Sequence, residues 1–491
     1  MTISDAQFAA WLAADNQQRA ILCEAKAYSG AAEVTRYMAT RPYVSAPTDT
    51  PANTAYDDIV VSIPTFTRRM SEAFTGATTQ SWGDIEILNE GGALDAWLDD
   101  GWDGRGLSLY IGDPGWQKAD FRLILAGVSA DISVKDAKTL VLKARDKTYA
   151  VNVPIQTNLI GGTTANAGKL VPLCFGECYN ISPLLIDAGA HQYQYHDGAA
   201  QGVTTVYDNG VSVAFTDSPA SGTFALAATP AGQITCDAKG AKPAGVYLAK
   251  VADIVDHIVT TRSALTAADM DSASFTAMNA TAPQTVGLYI EARENIINAL
   301  DDLVTSAGGW WGFSRGGLMQ LGVLSAPSGT PAISIGVDDI AERGLSVKRR
   351  DLPLAQFTLG WKRCWTTQTS GLAGSVSEAT KAILGDDYQS ITKANAAVLT
   401  KYLLADKPDR VGTLLVVQAE ADAEAQRRVD LRNVVRKIFT LDAFSVPFQV
   451  DLGQVVQLTH PRFGFAGGPL GVVTGIEEQP TKNRVKLEIW L

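Results

Sequence analysis

Residues able to do chemistry are few in this chain, and their spacing suits no reaction. Four histidines (His191, His196, His257, His460) and five cysteines (Cys23, Cys174, Cys178, Cys236, Cys364) are scattered through 491 residues. Cys174 and Cys178 have three residues between them. A zinc or iron–sulfur site wants about four ligands, commonly from Cys-x-x-Cys pairs. No second pair exists, and the nearest histidine in sequence is His191. The spacing therefore reads as two packed thiols. His257 lies on the flank of an apolar helical stripe with no serine, cysteine or second histidine in register. It reads as a helix-surface or packing residue. Asp95, Asp99, Asp100 and Asp103 crowd around Trp97 and Trp102. They lack the alternating oxygen ligands and central glycine of a calcium loop, so they read as a solvated turn.

The usual catalytic signatures are missing. There is no GxSxG elbow, no HExxH, no phosphate-binding GxxxxGK and no dinucleotide fingerprint. The Gly-rich run 162–168 lacks a following lysine and helix, so it is a loop. Carboxylates are plentiful, which leaves a glycosidase pair open in principle. Trp310, Trp311 and Phe313 could stack a sugar, though such a cluster more often packs a core. Two alternatives therefore stand beside a structural role: a cell-wall or polysaccharide-degrading hydrolase, and a carbohydrate-binding module using Trp310-Trp311 or Trp97 and Trp102. The residues themselves assign no catalytic, cofactor-binding or metal site.

The elements that would have to position any site are mostly strands. Domains run about 100–200 residues, so 491 residues predict three or four. Hydrophobic residues at 46% and charged residues at 19% describe a folded chain, and 44 glycines with 20 prolines predict many turns. Residues 4–15 read as an amphipathic helix with Phe8, Trp11 and Leu12 on one face. A hairpin follows over 19–44, then a loop over 45–57. Residues 57–155 hold short apolar runs between Gly, Asp and Pro turns, as in a sandwich or barrel. A second set of short strands fills 185–245, with Asp208-Asn209-Gly210 as a tight-turn signal. From 246 the pattern is α/β: a helix around Leu248–Val259, a helix over 291–309, and a hairpin over 310–324 through Arg315-Gly316-Gly317. Residues 376–406 are polar and helix-forming. Residues 419–439 predict a strong amphipathic helix, and β sequence closes the chain. The resulting division is 1–155, 156–245, 246–345 and 346–491, the last with a helical insertion at 376–439.

Net charge is −11. Phosphate binding needs clustered Lys and Arg, so a broad nucleic-acid face is disfavoured. The short basic runs Arg68-Arg69, Lys348-Arg349-Arg350 and Arg427-Arg428 read as solvated charge. An acidic wall could still let DNA pass without sticking. The first residues lack a basic region followed by an apolar run, and no stretch approaches the ~20 apolar residues of a membrane span. The expectation is synthesis in a cytoplasm, with the odd cysteine set suited to a reducing compartment.

Several segments, in order, carry a family resemblance. They are 84–114, 120–134 and 139–147; then GKLVPLCFGECYNISPLLIDAGAHQYQYHDG (168–198), 203–213 and 221–240; then FTLGWKRCWTTQ (357–368); last, 422–439 and 450–490. Their order and coverage resemble the tail-tip (baseplate) hub proteins of bacteriophages with long non-contractile tails, and the hub-like proteins of gene-transfer agents. The resemblance implies a non-enzymatic virion protein at the distal tip of the tail, made in the host bacterial cytoplasm. It implies a homotrimer in which each subunit supplies two related tube-type β-barrel domains, with small β and α/β domains inserted. The candidates for those barrels are 57–155, and 346–360 together with 440–491. The fold expected is thus α+β, β-rich and multidomain. Expected partners are the tape-measure protein, a distal tail protein, and tail-fibre or receptor-binding proteins, with DNA passing through the lumen and no stable membrane insertion. Some relatives carry a cysteine-rich C-terminal cluster, which is missing here and puts an iron–sulfur site in doubt. Without a fibre-like or lysozyme-like extension after the last strand, receptor binding and wall digestion are expected on other proteins.

Overall fold

The computed structural model describes residues 3–14, 17–444 and 448–491. Asp15 at the end of the expected first helix, and residues 445–447 of the closing β stretch, lie outside them. Strand outweighs helix, 41% against 21%. The first helix, Asp5–Ala13, is closed by a capping box: Ser4 accepts from the Gln7 backbone N–H while the Gln7 side chain accepts from that of Ser4. Phe8, Trp11 and Leu12 are its buried face. The expected hairpin forms from Ala20–Ser29 and Ala32–Ala39. Gly30, at φ 61°, supplies the left-handed turn.

Both hairpin strands enter a nine-stranded sheet with Gly106–Gly112, Arg122–Asp136, Thr139–Arg145 and Asp84–Leu88. Burial alternates along these strands: Leu107, Leu109 and Ile111 point inward, as do Ile85 and Ile87. That period of two marks a sheet with one covered face. The covering includes the first helix and Trp102.

A five-stranded sheet follows, in the order Val211–Val213, Ala200–Asp208, Ile234–Ala241, Leu173–Ile181, Gly287–Ile290. Asn209 (φ 48°) and Gly210 (φ 82°) turn the chain between its first two strands, as the Asp-Asn-Gly run predicts. Its last strand comes from the stretch that reads as α/β in sequence. The join is tight. Gly176 pairs with Gly287, and a Cβ on Gly287 would sit 1.8 Å from the Glu177 carbonyl oxygen. Helices Val251–Arg262, Ser272–Thr281 and Ile296–Ser306 pack on Leu173, Phe175 and Leu288 of this sheet. The same central core takes Ala421, Ala425 and Val429 from helix Gln418–Arg432.

The C-terminal part departs from the sequence reading in two places. The helix expected over 419–439 stops at Arg432, and Arg436–Phe444 is a strand. Val434-Val435 are β-branched, and Ile438, Phe439, Leu441 and Ala443 all enter the C-terminal core. In 376–406, helices Glu378–Leu384 and Ala396–Lys401 flank a strand, Gln389–Ala394, which pairs with Gln356–Trp361.

The C-terminal sheet runs Ile333–Ile335, Val455–Leu458, Leu470–Gln479, Arg484–Trp490, Arg436–Phe444, Ile340–Asp351. It also accepts a strand from far away in sequence. Phe66–Arg69 pairs antiparallel with Leu470–Gln479 (Phe66 opposite Glu478, Arg69 opposite Gly475), and Thr79–Ser81 pairs with Phe66–Arg69 in turn. Between them, Gly76–Ala77 lies parallel to Gly309–Phe313. One segment, 66–81, therefore laces three parts of the molecule.

The expected β-barrels do not appear: among the described residues no sheet closes on itself. Closure needs the two edge strands of a sheet to pair. In the nine-stranded sheet the edges are Tyr43–Val44 and Val60–Ser62; along the C-terminal path they are Ile333–Ile335 and Ile340–Asp351. Within one chain these edges do not pair with each other.

Candidate functional site

A network of charged residues lies along the lacing segment. Arg68 is 3% exposed and forms an ion pair with Asp451. Burial works to raise the Asp451 carboxyl, but Arg68 and Arg315 outweigh it and hold it below its ordinary value. Arg315, in the turn of the 309–323 hairpin, pairs with Glu478, which is also buried. It donates to the carbonyls of Val450 (2.9 Å) and Phe448 (3.3 Å) as well. The Phe448 N–H donates to Glu478 at 3.1 Å. Arg69 reaches Glu477 (3.4 Å) and Glu488 (3.3 Å), and Lys348 reaches Glu488 at 2.7 Å.

This corrects the reading of solvated charge for Arg68 and Arg428, whereas Lys348 and Arg350 are exposed as that reading has them. Arg68 is an inter-element tie. Arg349 pairs with Asp351 at 2.7 Å. Arg427 and Arg428 share Glu424, which is fully buried, at 2.6 and 2.7 Å. Arg428 further donates to the Thr305 and Ser306 carbonyls at 3.0 Å, closing the C-terminus of helix Ile296–Ser306. Asp451 lies far from Arg68 in sequence, so no local pattern announced that tie; Asp351 and Glu424 stand two to four residues from their arginines, a spacing the sequence displays.

The structure also brings together two histidines that sequence left apart. His196 and His257 both pack edge-on against Phe175, at 5.9 and 6.2 Å between ring centroids. They open on a cleft of about 580 Å³ with Asn158, Asp197, Thr261 and Arg262. The His196 Nδ1 accepts the Cys174 backbone N–H at 3.1 Å. That bond assigns the neutral-ring proton to Nε2. Burial, with Arg262 and His257 nearby, pushes His196 down to about 3. Burial also lowers His257. Arg262 and Asp197 form a 3.7 Å pair, and Asn158 donates to both Asp197 oxygens at 3.0 and 3.1 Å. Among the described residues no hydroxyl or thiol is hydrogen-bonded to the His196 ring.

The thiols are fully buried. Cys236 joins Cys174 and Cys178 in the core of the five-stranded sheet, a third cysteine that spacing did not predict. Burial pushes Cys178 and Cys236 well up, away from the thiolate form. The sequence neighbour His191 sits in a turn (φ 46°); the histidine beside these thiols is His196. No group of three or more metal-binding side chains occurs among the described residues. In the acidic turn, Asp100 pairs with Arg36 at 2.7 Å and Asp95 accepts from Asn89 at 2.7 Å.

Trp102, Trp310 and Trp311 are inside, and Trp97 is half-buried. Trp310 faces the C-terminal core and Trp311 the central core, so adjacent residues of one strand pin two cores together. The Trp311 Nε1–H donates to Asp301 at 2.6 Å. Trp102 is buried and donates to the Trp97 carbonyl at 2.8 Å. A ring must be open to stack a sugar, and the rings of Trp102, Trp310 and Trp311 are not. No helix among the described residues is long and apolar enough to cross a membrane.

No protein-family model and no curated protein matches the chain. Solved structures do resemble it, tail and virion proteins among them. A chain of the native gene transfer agent virion aligns at TM-score 0.45 and 12% identity, over 68% of this chain and 86% of its own. A tail protein of Neisseria meningitidis MC58 aligns at TM-score 0.40 and 10% identity, over 96% of both chains. The 43 kDa tail protein of prophage MuSo2 from Shewanella oneidensis aligns at TM-score 0.38 and 10% identity, over 96% of this chain and 98% of its own.

Proposed function

We propose that this chain is a structural subunit of a phage tail tip, the hub that continues or closes the tail tube. The observation that carries the reading is the strand Phe66–Arg69, hydrogen-bonded into the C-terminal sheet. It binds the N-terminal and C-terminal β units side by side, as suits a subunit that contributes two β units to one ring. Four of the segments that bear the family resemblance fall on those units: 84–114, 120–134 and 139–147 on the nine-stranded sheet, 450–490 on the C-terminal one. A homotrimer would then offer a sixfold set to the tube above it. Sheets left open in one chain have edges available to neighbouring copies, so the tube-type barrel belongs to the assembled ring in this reading.

The tape-measure protein, a distal tail protein and fibre or receptor-binding proteins would attach to this ring at the distal tip of the tail. DNA would pass its lumen, where a chain of net charge −11 offers little to hold phosphate. The work is conformational: contacts between subunits keep the tip closed, and receptor engagement shifts the domains. The buried tryptophans favour this role over a glycan-binding one.

The test is to image intact particles with an antibody fragment against this chain and to weigh the purified protein by native mass spectrometry. Label at the tail tip and a mass of three chains are expected. A strictly monomeric protein that is missing from purified particles would overturn the reading.

A further inference from the structure

A second cavity, away from the histidine cleft, is apolar inside and cationic at its rim. It has a volume of about 230 Å³ and lies where residues 73–75, the end of helix Ile296–Ser306, helix Gln418–Arg432 and the last residues of the C-terminal sheet meet. Phe357 and Trp490 contribute to its floor, and Leu352 and Val434 are 43% and 47% exposed at its edge. Arg432 and Arg436 line it too. Arg432 has no carboxylate or hydrogen-bond partner for its side chain among the described residues. Arg436 has no carboxylate partner there; it stacks on Trp490 at 4.5 Å and donates Nε–H to the Leu431 carbonyl at 3.0 Å.

The local charge runs against that of the whole chain. Arg427 and Arg428 share the single Glu424, and Asp351 is taken by Arg349. Asp406 is the remaining acid of the lining. Four arginines thus face two available carboxylates in a protein of net charge −11. A cation beside an apolar hollow, partly shielded from water, attracts a carboxylate more strongly than the same cation on an open surface.

We propose that this cleft binds an acidic peptide segment of a partner protein, seating a bulky apolar side chain on the Phe357–Trp490 floor with a flanking carboxylate on Arg432 and Arg436. The volume suits one large side chain, and the charge selects an acidic neighbour. Trp490 belongs to the C-terminal core and Phe357 to the central core, so the bound segment would bridge the two. Occupancy would therefore bias their relative placement. The proposal stands whether or not the protein is a tail hub.

The experiment is fluorescence anisotropy with the full chain and a fluorescein-labelled peptide, Asp-Glu-Leu-Phe-Glu-Asp. Two controls replace its acids by Asn and Gln, or its Leu-Phe by Ala-Ala. Saturable binding is expected, weakened at least threefold between about 50 and 200 mM NaCl. Both controls should bind at least tenfold more weakly. Arg432→Gln should weaken binding about tenfold, a loss of about 1.4 kcal/mol. Val434→Glu, which sets a like charge at an exposed edge position, should do the same without altering the circular dichroism spectrum. Equal binding of the neutral peptide, unchanged binding by both variants, or no saturation by about 1 mM, where binding is worth only about 4 kcal/mol, would overturn the proposal. So would capture of decanoate in place of the peptide. Self-association of the chain that Arg432→Gln abolishes would overturn it as well, and would make a second copy the occupant.

Discussion

His196 shows how a residue's chemistry is set by its neighbours. Alone, an imidazole titrates near neutrality. Here the ring is buried, accepts the Cys174 N–H and lies near Arg262, and it is held at about 3. The sign of the stability effect follows. The unfolded chain takes up this proton as pH falls below about 6.5, and the folded chain does so only near 3. The contribution is complete above 6.5 and is lost steadily from there down to about 3. His196→Gln keeps an acceptor for the N–H but removes the titration. Between pH 6 and 5 the wild type is expected to lose roughly 1 kcal/mol more than the variant, as measured by urea unfolding. Parallel pH profiles would show that His196 is not held neutral. Sequence disclosed the residue, but not its burial or its meeting with His257, because the two come together only when a helix packs on a sheet.

At the scale of elements, the least expected feature is a short strand. Phe66–Arg69 spans four residues, with a proline shortly before it and basic residues within it. Nothing local distinguishes it from a loop. Its partner, Leu470–Gln479, is nearly all buried. If the pairing is structural, amide hydrogen exchange at residues 67–69 should be slow and should rise together with exchange at 475–478 in mild denaturant. Fast, independent exchange at 67–69 would mean that the strand is only laid against the sheet. Other elements were readable because their signals are local. Ser4 with Gln7 caps the first helix, and Asp208-Asn209-Gly210 turns a hairpin. The run 434–439 was misread because apolar residues three or four positions apart, such as Val434, Val435, Ile438 and Phe439, also fit the approach to and start of a strand.

For the whole molecule, Arg315 is where the parts are tied. It comes from the central hairpin, and its bonds end on Glu478, Val450 and Phe448 of the C-terminal unit. Removing one partner of a buried pair leaves the other charge unanswered, whereas replacing both by apolar groups is often tolerated. Arg315→Met is expected to lower stability by about 3–5 kcal/mol, and Arg315→Met with Glu478→Leu to recover most of the loss. Thermal and urea unfolding of the three proteins give the comparison. A double variant as weak as the single one would mean that the hydrogen bonds to Val450 and Phe448 matter more than the charges.

What the sequence determined by itself was the class: a long, β-rich, acidic chain whose histidines and cysteines lack catalytic spacing, with a resemblance to phage hub proteins spread along it. These properties come from composition, periodicity and turn chemistry, which act over a few residues. Tertiary structure decided the rest. It set Arg68 on Asp451, His196 beside His257, Cys236 beside Cys174 and Cys178, and Trp310 and Trp311 in different cores. It also left the two large sheets open where closed barrels were expected. Each of these depends on contacts between residues far apart in the chain. Their energy comes from burial and charge pairing that exist only once the distant segments have met.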